Sequence, residues 1–341
     1  MGVIIHDLSD CELSVRNGSY GGMAGYKEGI KYMGEMWVVK YPKNISNIKE
    51  GDGVYASSPL SEFIGSHIYQ MLGIPVHDTL LGYRNGKLVV ACRDFVESKS
   101  MLLEIRTLKN LANKDFEKQF DRPFGSTGSS HVVDWEELLL HIEHNPVMSK
   151  VAGLWERFIM QAIVDILINN NDRNNGNWGV LRRVEGDTYI DCLAPIYDNG
   201  ACFSPNLTEA EISSRMNDVS TCERNSCNTV VAYGKDGKNF TARKFCEMLA
   251  TLESAKHTVY RVSNEIDSKM ISCIEFIRSI PNTITIDGKT VEVMSELRKD
   301  FYILQLESRY RNLIQKELVD RILSSDKLGN YNILCSLAEN I

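Results

Sequence analysis

No stretch of this 341-residue chain approaches the roughly 18–20 consecutive apolar residues of a membrane-crossing helix, so a membrane partner is not expected. The first ten residues, Met1 to Asp10, carry acids and no basic stretch ahead of an apolar core, so no signal peptide is expected either. The cysteines are at 11, 92, 192, 202, 222, 227, 246, 273 and 335, and no two of them form a CxxC pair. An odd number without framework spacing fits a reducing compartment, and the expectation is a cytoplasmic protein. Positive charge is in deficit: 38 Lys and Arg stand against 45 Asp and Glu, a net charge of −7. This excludes direct nucleic-acid binding that rests on neutralising phosphates, though not a local cationic site for a nucleotide. Internal repeats and low-complexity tracts are also missing. What remains, 43% apolar and 24% charged residues, is the composition of an ordinary globular chain.

The first hundred residues read as mixed strand and helix. Tyr26 to Met33 and Met36 to Tyr41 are β-rich runs around Gly34-Glu35, a hairpin pattern in which Met36, Val38 and Lys40 share one face. Residues 44–58 are polar and read as a loop. Ser61 to Leu72 carries a helical apolar stripe that stops at Gly73. His77 to Tyr83 and Lys87 to Cys92 flank Arg84-Asn85-Gly86, a second hairpin signal. After residue 100 the character changes. Residues 121–130 read as an exposed loop, 134–142 as a helix, and 150–168 as the most strongly apolar helix of the chain. Residues 205–239 are polar, with a Gly-Lys-Asp-Gly turn at 234–237. Helices are expected over about 243–280, with a break, and 297–323, separated by a hairpin around Asp287-Gly288. The boundary falls near residue 97. The expectation is an α+β, two-lobed fold with a small β-rich lobe (1–97) and a larger, mainly helical lobe (98–341).

Six of the nine residues from 169 to 177 are asparagine, and within them stand Asp172 and, five positions on, Asn177. A buried-type helix precedes this segment, and a second acid, Asp198, follows in Tyr197-Asp198-Asn199-Gly200. Asp172 could orient or deprotonate a hydroxyl, and Asn177 could offer a carbonyl oxygen to a hard cation such as Mg²⁺. Taken alone, the segment reads equally well as a turn, because Asn, Asp and Gly are turn formers. Asp198 would complete a metal site if the intervening residues fold as a hairpin. Lys40 on an inward strand face needs an anionic partner, and Glu62 at the start of the next helix is the candidate; the plainer reading is an edge-strand lysine in water. Asn17 to Gly25 holds four glycines in nine residues and could cradle phosphates through its backbone, although it is neither GxxxxGK[ST] nor GxGxxG. His141 and His144, three apart on a helix, read as a solvent-facing pair and not a metal site. The order glycine loop, strand Lys, helix Glu, hairpin, helix, Asp-x4-Asn, Asp is that of a kinase, and D-x-x-x-x-N is the spacing of a kinase catalytic loop.

On these residues the chain resembles the HipA-like serine/threonine kinases, and within them the compact CtkA-like branch. The resemblance runs through Tyr20–Pro42, Ser61–Phe95, Ile163–Leu181 and Ala194–Pro205. The family's catalytic loop reads N-x-D-R-H-x-x-N, which falls on Asn170, Asp172, Arg173 and Asn177. Asn174 stands where the family has His. The resemblance implies a protein-kinase-like fold and ATP-dependent phosphoryl transfer to a Ser or Thr of a protein substrate, with autophosphorylation. Asp172 and Lys40 would be catalytic. Asn177 and Asp198 would hold Mg²⁺. Gly21, Gly22, Met23, Ala24, Lys40, Glu62, Arg93 and Phe95 would surround ATP, with the backbone of residues 91–95 at the adenine. Ser19 would be a regulatory phosphosite, and an antitoxin-like or other regulatory partner is implied. Two other readings stay open: a small-molecule kinase of the aminoglycoside or lipid-kinase type with an acidic acceptor pocket around 205–235, and a nucleotide-binding pseudokinase without activity.

Overall fold

The structure is a computed structural model that describes residues 2–16, 27–45, 56–125, 132–286 and 288–325. The glycine-rich segment, with Ser19, Gly21, Gly22, Met23 and Ala24, lies outside the described residues.

The chain begins with β1 (Ile5–Asp7), β2 (Lys27–Tyr32) and β3 (Glu35–Lys40), followed by helix α1 (Ser58–Met71), β4 (Thr79–Arg84) and β5 (Lys87–Arg93). The five strands form one sheet in the order β1-β4-β5-β3-β2, with β1 parallel to β4 and the other pairs antiparallel. Both expected hairpins are present. The first turn centres on Met33-Gly34, one residue before the expected Gly34-Glu35, and the second on Asn85-Gly86. All four residues have positive φ (49°, 81°, 52° and 74°), the geometry that keeps a two-residue turn in step with strand twist. Trp37 and Val39 of β3 face outward into a small core with Leu8, Ile30, Val89 and Ala91. Period-two alternation therefore turns Val38 and Lys40 to the opposite face. That face is covered by α1. Pro59 sits in the first turn of α1, where its fixed φ suits helix initiation. Ten of the helix's fourteen residues are buried. Gly65 lets it come close to the following lobe: a Cβ there would lie 2.9 Å from Cys202 Sγ and 3.1 Å from Asn199 Cβ.

Beyond the sheet the chain is mainly helical: β6 (Ser100–Glu104), α2 (Ile105–Phe120), β7 (Val133–Asp134), α3 (Trp135–His144) and α4 (Leu154–Leu167), then β8 (Gly179–Glu185) and β9 (Thr188–Leu193). Next come α5 (Glu209–Met216), α6 (Val219–Cys227), β10 (Val230–Lys235), β11 (Lys238–Thr241), α7 (Ala242–Ala250), α8 (Lys256–Ser279), β12 (Thr283–Ile286), β13 (Lys289–Glu292) and α9 (Glu296–Arg309). The last helix runs on into a π-helical stretch, Tyr310–Val319. The central element is α4, whose Phe158, Ile159, Ala162, Ile163, Ile166 and Leu167 are at most 1% exposed and join the main core with α1, α8 and α9. The helix expected over 243–280 is broken as anticipated, between α7 and α8.

Two expectations are corrected. The polar stretch 205–239 is not a loop. Thr208 and Glu211 form a capping box that starts α5, Asp218 caps α6, and β10 and β11 pair across a turn in which Asp236 and Gly237 take positive φ. His141 does not face solvent. It is fully buried and stacks on Phe116 at 4.3 Å, and burial drives its pKa down to about 3, while His144 remains at the surface. Among the described residues, no helix is long and apolar enough to cross a membrane.

Candidate active site

The sequence-predicted residues converge between the sheet and the helical lobe. Each is placed by a local feature. Lys40, on the inner face of β3, donates from Nζ to Glu62 Oε2 at 2.7 Å and to Asp198 Oδ1 at 2.9 Å. Glu62 is 1% exposed, one turn into α1. Its second oxygen, Oε1, accepts from the Asn199 backbone N–H at 2.9 Å and lies 3.1 Å from His77 Nε2. Burial alone would push Lys40 down and Glu62 up. The mutual charges outweigh burial, with Asp198 and Glu62 holding the ammonium well above its usual range and Lys40 and His77 holding the Glu62 carboxyl below its own. Lys40 likewise lowers Asp198.

Asp198 reaches this position because residues 75–77 and 196 pair. Ile196 N–H donates to Pro75 C=O at 2.9 Å and His77 N–H to Ile196 C=O at 3.0 Å, tying the segment after β9 to the segment before β4. Asp198 itself has φ of 60°, a left-handed conformation that Asp tolerates better than most residues. The expected hairpin between Asn177 and Asp198 is β8–β9, in full antiparallel register from Val180↔Leu193 to Glu185↔Thr188.

The Asn-rich segment follows α4, which ends as Asn169 turns left-handed (φ 56°). It is a hydrogen-bonded loop with distinct tasks for each amide. Asn170 Nδ2 donates to Asp165 Oδ1 at 3.1 Å, and its own Oδ1 accepts from the Asp172 backbone N–H at 3.2 Å. Asn174 Nδ2 donates to Asp172 Oδ1 at 2.9 Å. Asn177 Nδ2 donates to the Asp172 carbonyl at 2.6 Å, so its carbonyl oxygen is the atom turned to any cation. Arg173 is fully buried beneath the loop. Its guanidinium donates to Asp165 Oδ2 at 2.8 Å, to the carbonyls of Asn177 (2.8 Å) and Tyr197 (2.5 Å), and to Asn199 Oδ1 at 2.5 Å. One cation thus ties the Asp172 loop to the Asp198 segment.

Asp172, Asn177, Asp198 and Lys40 open onto one cleft of about 1100 Å³. Phe95 lies in its wall with its ring 5.7 Å from that of Tyr197. Arg93 departs from expectation. Its side chain turns out to Glu35 (2.9 Å) and Asp78 (3.2 Å), and its backbone N–H is held by Asp78 C=O at 2.8 Å. The next N–H, of Asp94, is held by Met36 C=O at 2.9 Å. Neither amide is left to donate to a base, although Cys92, Arg93 and Asp94 line the cleft together with Phe95. No residue of 205–235 lines the cleft, which removes the acidic acceptor pocket expected there.

Asp165, His77 and Arg106 carry no direct signal in the sequence, and Arg173 shows only as a position of the catalytic-loop motif. Arg173 and Asp165 sit eight positions apart across a helix end, and the pair is legible only once that helix is known to be buried. Arg106, at the start of α2, donates to Glu104 Oε2 at 2.6 Å and lies against Gly176, where a Cβ would be 3.2 Å from its Cζ. Its position depends on β6 pairing with β8, which joins residues from 83 positions apart at Ser100↔Arg183 to 75 apart at Glu104↔Gly179.

The fold is shared with a known protein. The chain is 28% identical over 312 residues to the serine/threonine-protein kinase CtkA of Helicobacter pylori (strain J99), covering 90% of this chain and 86% of the relative. The crystal structure of the H. pylori proinflammatory kinase CtkA superposes with a TM-score of 0.76 at 25% identity, over 94% of this chain and 99% of that one. The chain is similar to the HipA-like serine/threonine kinases, and among them to the compact CtkA-like branch. HipA of Shewanella oneidensis MR-1, solved with HipB and operator DNA, is a remote likeness at 12% identity and a TM-score of 0.49, covering 92% of this chain and 67% of that one. No family model matches the chain. Within this fold β3 carries Lys40, α1 carries Glu62, and the loop 172–177 borders the cleft.

Proposed function

We propose that this kinase transfers the γ-phosphoryl of ATP to a serine or threonine hydroxyl of a protein, its own chain included. The observation that carries the reading is the double contact of Lys40 with Glu62 and Asp198, which assembles three groups from three separate elements on one side of the cleft. Bound ATP with Mg²⁺ would supply the phosphoryl group and the cations that neutralise its developing charge. The donor set fits such cations. Asn177 offers a carbonyl oxygen, and Asp198 uses Oδ1 for Lys40 and keeps Oδ2, both hard ligands of the kind Mg²⁺ takes.

In this reading Lys40, held by Glu62, contacts the nucleotide phosphates. Asp172 orients the acceptor hydroxyl and takes its proton. Its Oδ1 is fixed by Asn174, which lets Asn174 do part of the orienting where the family has histidine. Asn177 and Asp198 hold the cations, and Phe95 and Tyr197 flank the base. The change of lobe is placed at residues 97/98, where the chain leaves the sheet for β6.

Incubation of the full chain with Mg²⁺ and ATP, followed by tryptic phosphosite mapping, tests the acceptor. Phosphoserine or phosphothreonine on this chain or on an added protein is expected. Nucleotide turnover that leaves every protein unmodified would point to a small-molecule acceptor. Nucleotide binding without turnover would point to a pseudokinase.

A further inference from the structure

Behind Lys40 the structure holds a second set of ligand-type side chains, of which phosphoryl transfer uses only Glu62. Glu62 on α1, His77 ahead of β4 and Cys92 on β5 each point one ligand atom to a common place, and these atoms lie within 4.8 Å of one another. All three residues are buried. A tetrahedral Zn²⁺ with bonds of about 2.0–2.3 Å places its ligand atoms about 3.3–3.7 Å apart, so the set needs to contract by about 1.5 Å at most. Thiolate, imidazole and carboxylate together suit Zn²⁺, whereas Mg²⁺ and Ca²⁺ prefer oxygen alone.

The three positions are held by unrelated elements, yet their orientation is fixed. His77 Nε2 faces Glu62 Oε1 at 3.1 Å and Ser66 Oγ at 3.2 Å, so it already turns that nitrogen to the shared space. Ser66 is in turn held by Asn199 Nδ2 at 2.9 Å. There is also a way in. His77 lines both the main cleft and a smaller cavity of about 410 Å³ behind α1, bordered by Trp37, His67, Gln70 and Thr79. Cys92 lines the main cleft from the strand side.

We propose that Glu62, His77 and Cys92 form an inhibitory Zn²⁺ site, completed by water from the cleft. Binding is ligand exchange without electron transfer. The Cys92 thiol loses its proton to solvent and becomes the sulfur ligand, the His77 proton moves from Nε2 to Nδ1, and Glu62 contributes one carboxylate oxygen. The consequence follows from Glu62 serving two partners. Lys40 now shares its carboxylate with a divalent cation, which weakens its hold on Lys40 and repels the ammonium. Zinc at this site therefore competes with the arrangement that catalysis requires. The inhibitory part rests on the kinase reading; the site itself does not.

Cobalt replaces zinc in such sites and reports sulfur ligation by a charge-transfer absorption, which needs no ATP. Co²⁺ is added to the chelator-treated full chain, and Zn²⁺ is then added to displace it. Wild type is expected to show the sulfur band at one equivalent and to lose it to zinc. C92S is expected to lack the band, H77Q to bind at least about 10-fold more weakly, and C192A, altered far from the site, to match wild type. In phosphotransfer assays run beside these, C92S is expected to need at least about 10-fold more zinc than wild type for half inhibition of its own basal rate. Zinc taken up by ATP affects all variants alike. Circular dichroism reports whether C92S is folded, and H77Q carries the test if it is not. A wild-type chain without the band, or a band that persists in folded C92S, would overturn the site and leave the kinase reading standing. An inactive chain that still shows the band would overturn the kinase reading and leave the site.

Discussion

Lys40 and Asp198 are 158 residues apart in the chain and meet at 2.9 Å, Nζ to Oδ1. Lys40 belongs to the sheet and Asp198 to the helical lobe, so this contact depends on the two lobes being in register. A K40M variant keeps the aliphatic stem but leaves Glu62 and Asp198 facing each other without a cation. Its phosphotransfer should fall by roughly 100-fold or more, in line with losing a positioned charge at a phosphate. Initial rates at saturating ATP, with chromatography to confirm the folded state, check this.

Arg173 is buried with Asp165 as its carboxylate partner and three further acceptors. Removing one member of such a pair strands a buried charge, which costs about 3–5 kcal/mol. R173M should lower the midpoint of urea unfolding and also reduce activity, because the carbonyls of Asn177 and Tyr197 lose their common donor. A variant with wild-type midpoint would contradict the ion-pair account of this loop.

The pH dependence of stability has a definite sign at Glu62. Burial would raise its pKa, but Lys40 and His77 together hold it below the ordinary carboxyl range. A depressed folded-state value contributes stability that is fully present above the unfolded pKa, about 4.3, and is lost as pH falls through the folded value. The stability difference between wild type and E62Q should therefore stay constant from neutral pH down to about 5 and shrink below about 4. Denaturant titrations of both proteins across that range measure the difference directly.

The Asn177 side chain holds the Asp172 carbonyl through Nδ2, and its Oδ1 is the proposed Mg²⁺ ligand. N177A should raise the Mg²⁺ concentration needed for half-maximal rate more than it lowers the rate at saturating Mg²⁺. A pure rate loss with an unchanged Mg²⁺ requirement would assign Asn177 to the loop's geometry instead.

That Lys40, Glu62, Asp172, Asn177 and Asp198 come together was legible because each stands beside a strong local signal. Lys40 alternates with Met36 and Val38 on a strand, Glu62 opens a striped helix, Asp172 and Asn177 carry the kinase spacing, and the hairpin returning Asp198 shows as two β-rich runs. What supports the constellation was not legible. Arg173, Asp165 and His77 act through burial and through partners distant in sequence, and no periodicity marks them. The polar composition of 205–239 hid α5 and α6, whose starts are set by caps at Thr208 and Asp218 and not by an apolar stripe. His141 looked like a surface residue because its helix is amphipathic only when Phe116, from another helix, is counted as its partner. Arg93 fell in the right strand, but at the end of β5 its guanidinium pairs with Glu35 and Asp78.

The most direct test of the central claim is transfer of radiolabel from γ-labelled ATP to protein by wild type, D172A and D198A, with all three shown to be folded by circular dichroism. Labelling by wild type is expected, together with a loss of roughly 100- to 10,000-fold in D172A and at least as large a loss in D198A. Undiminished labelling by either folded variant would contradict the account.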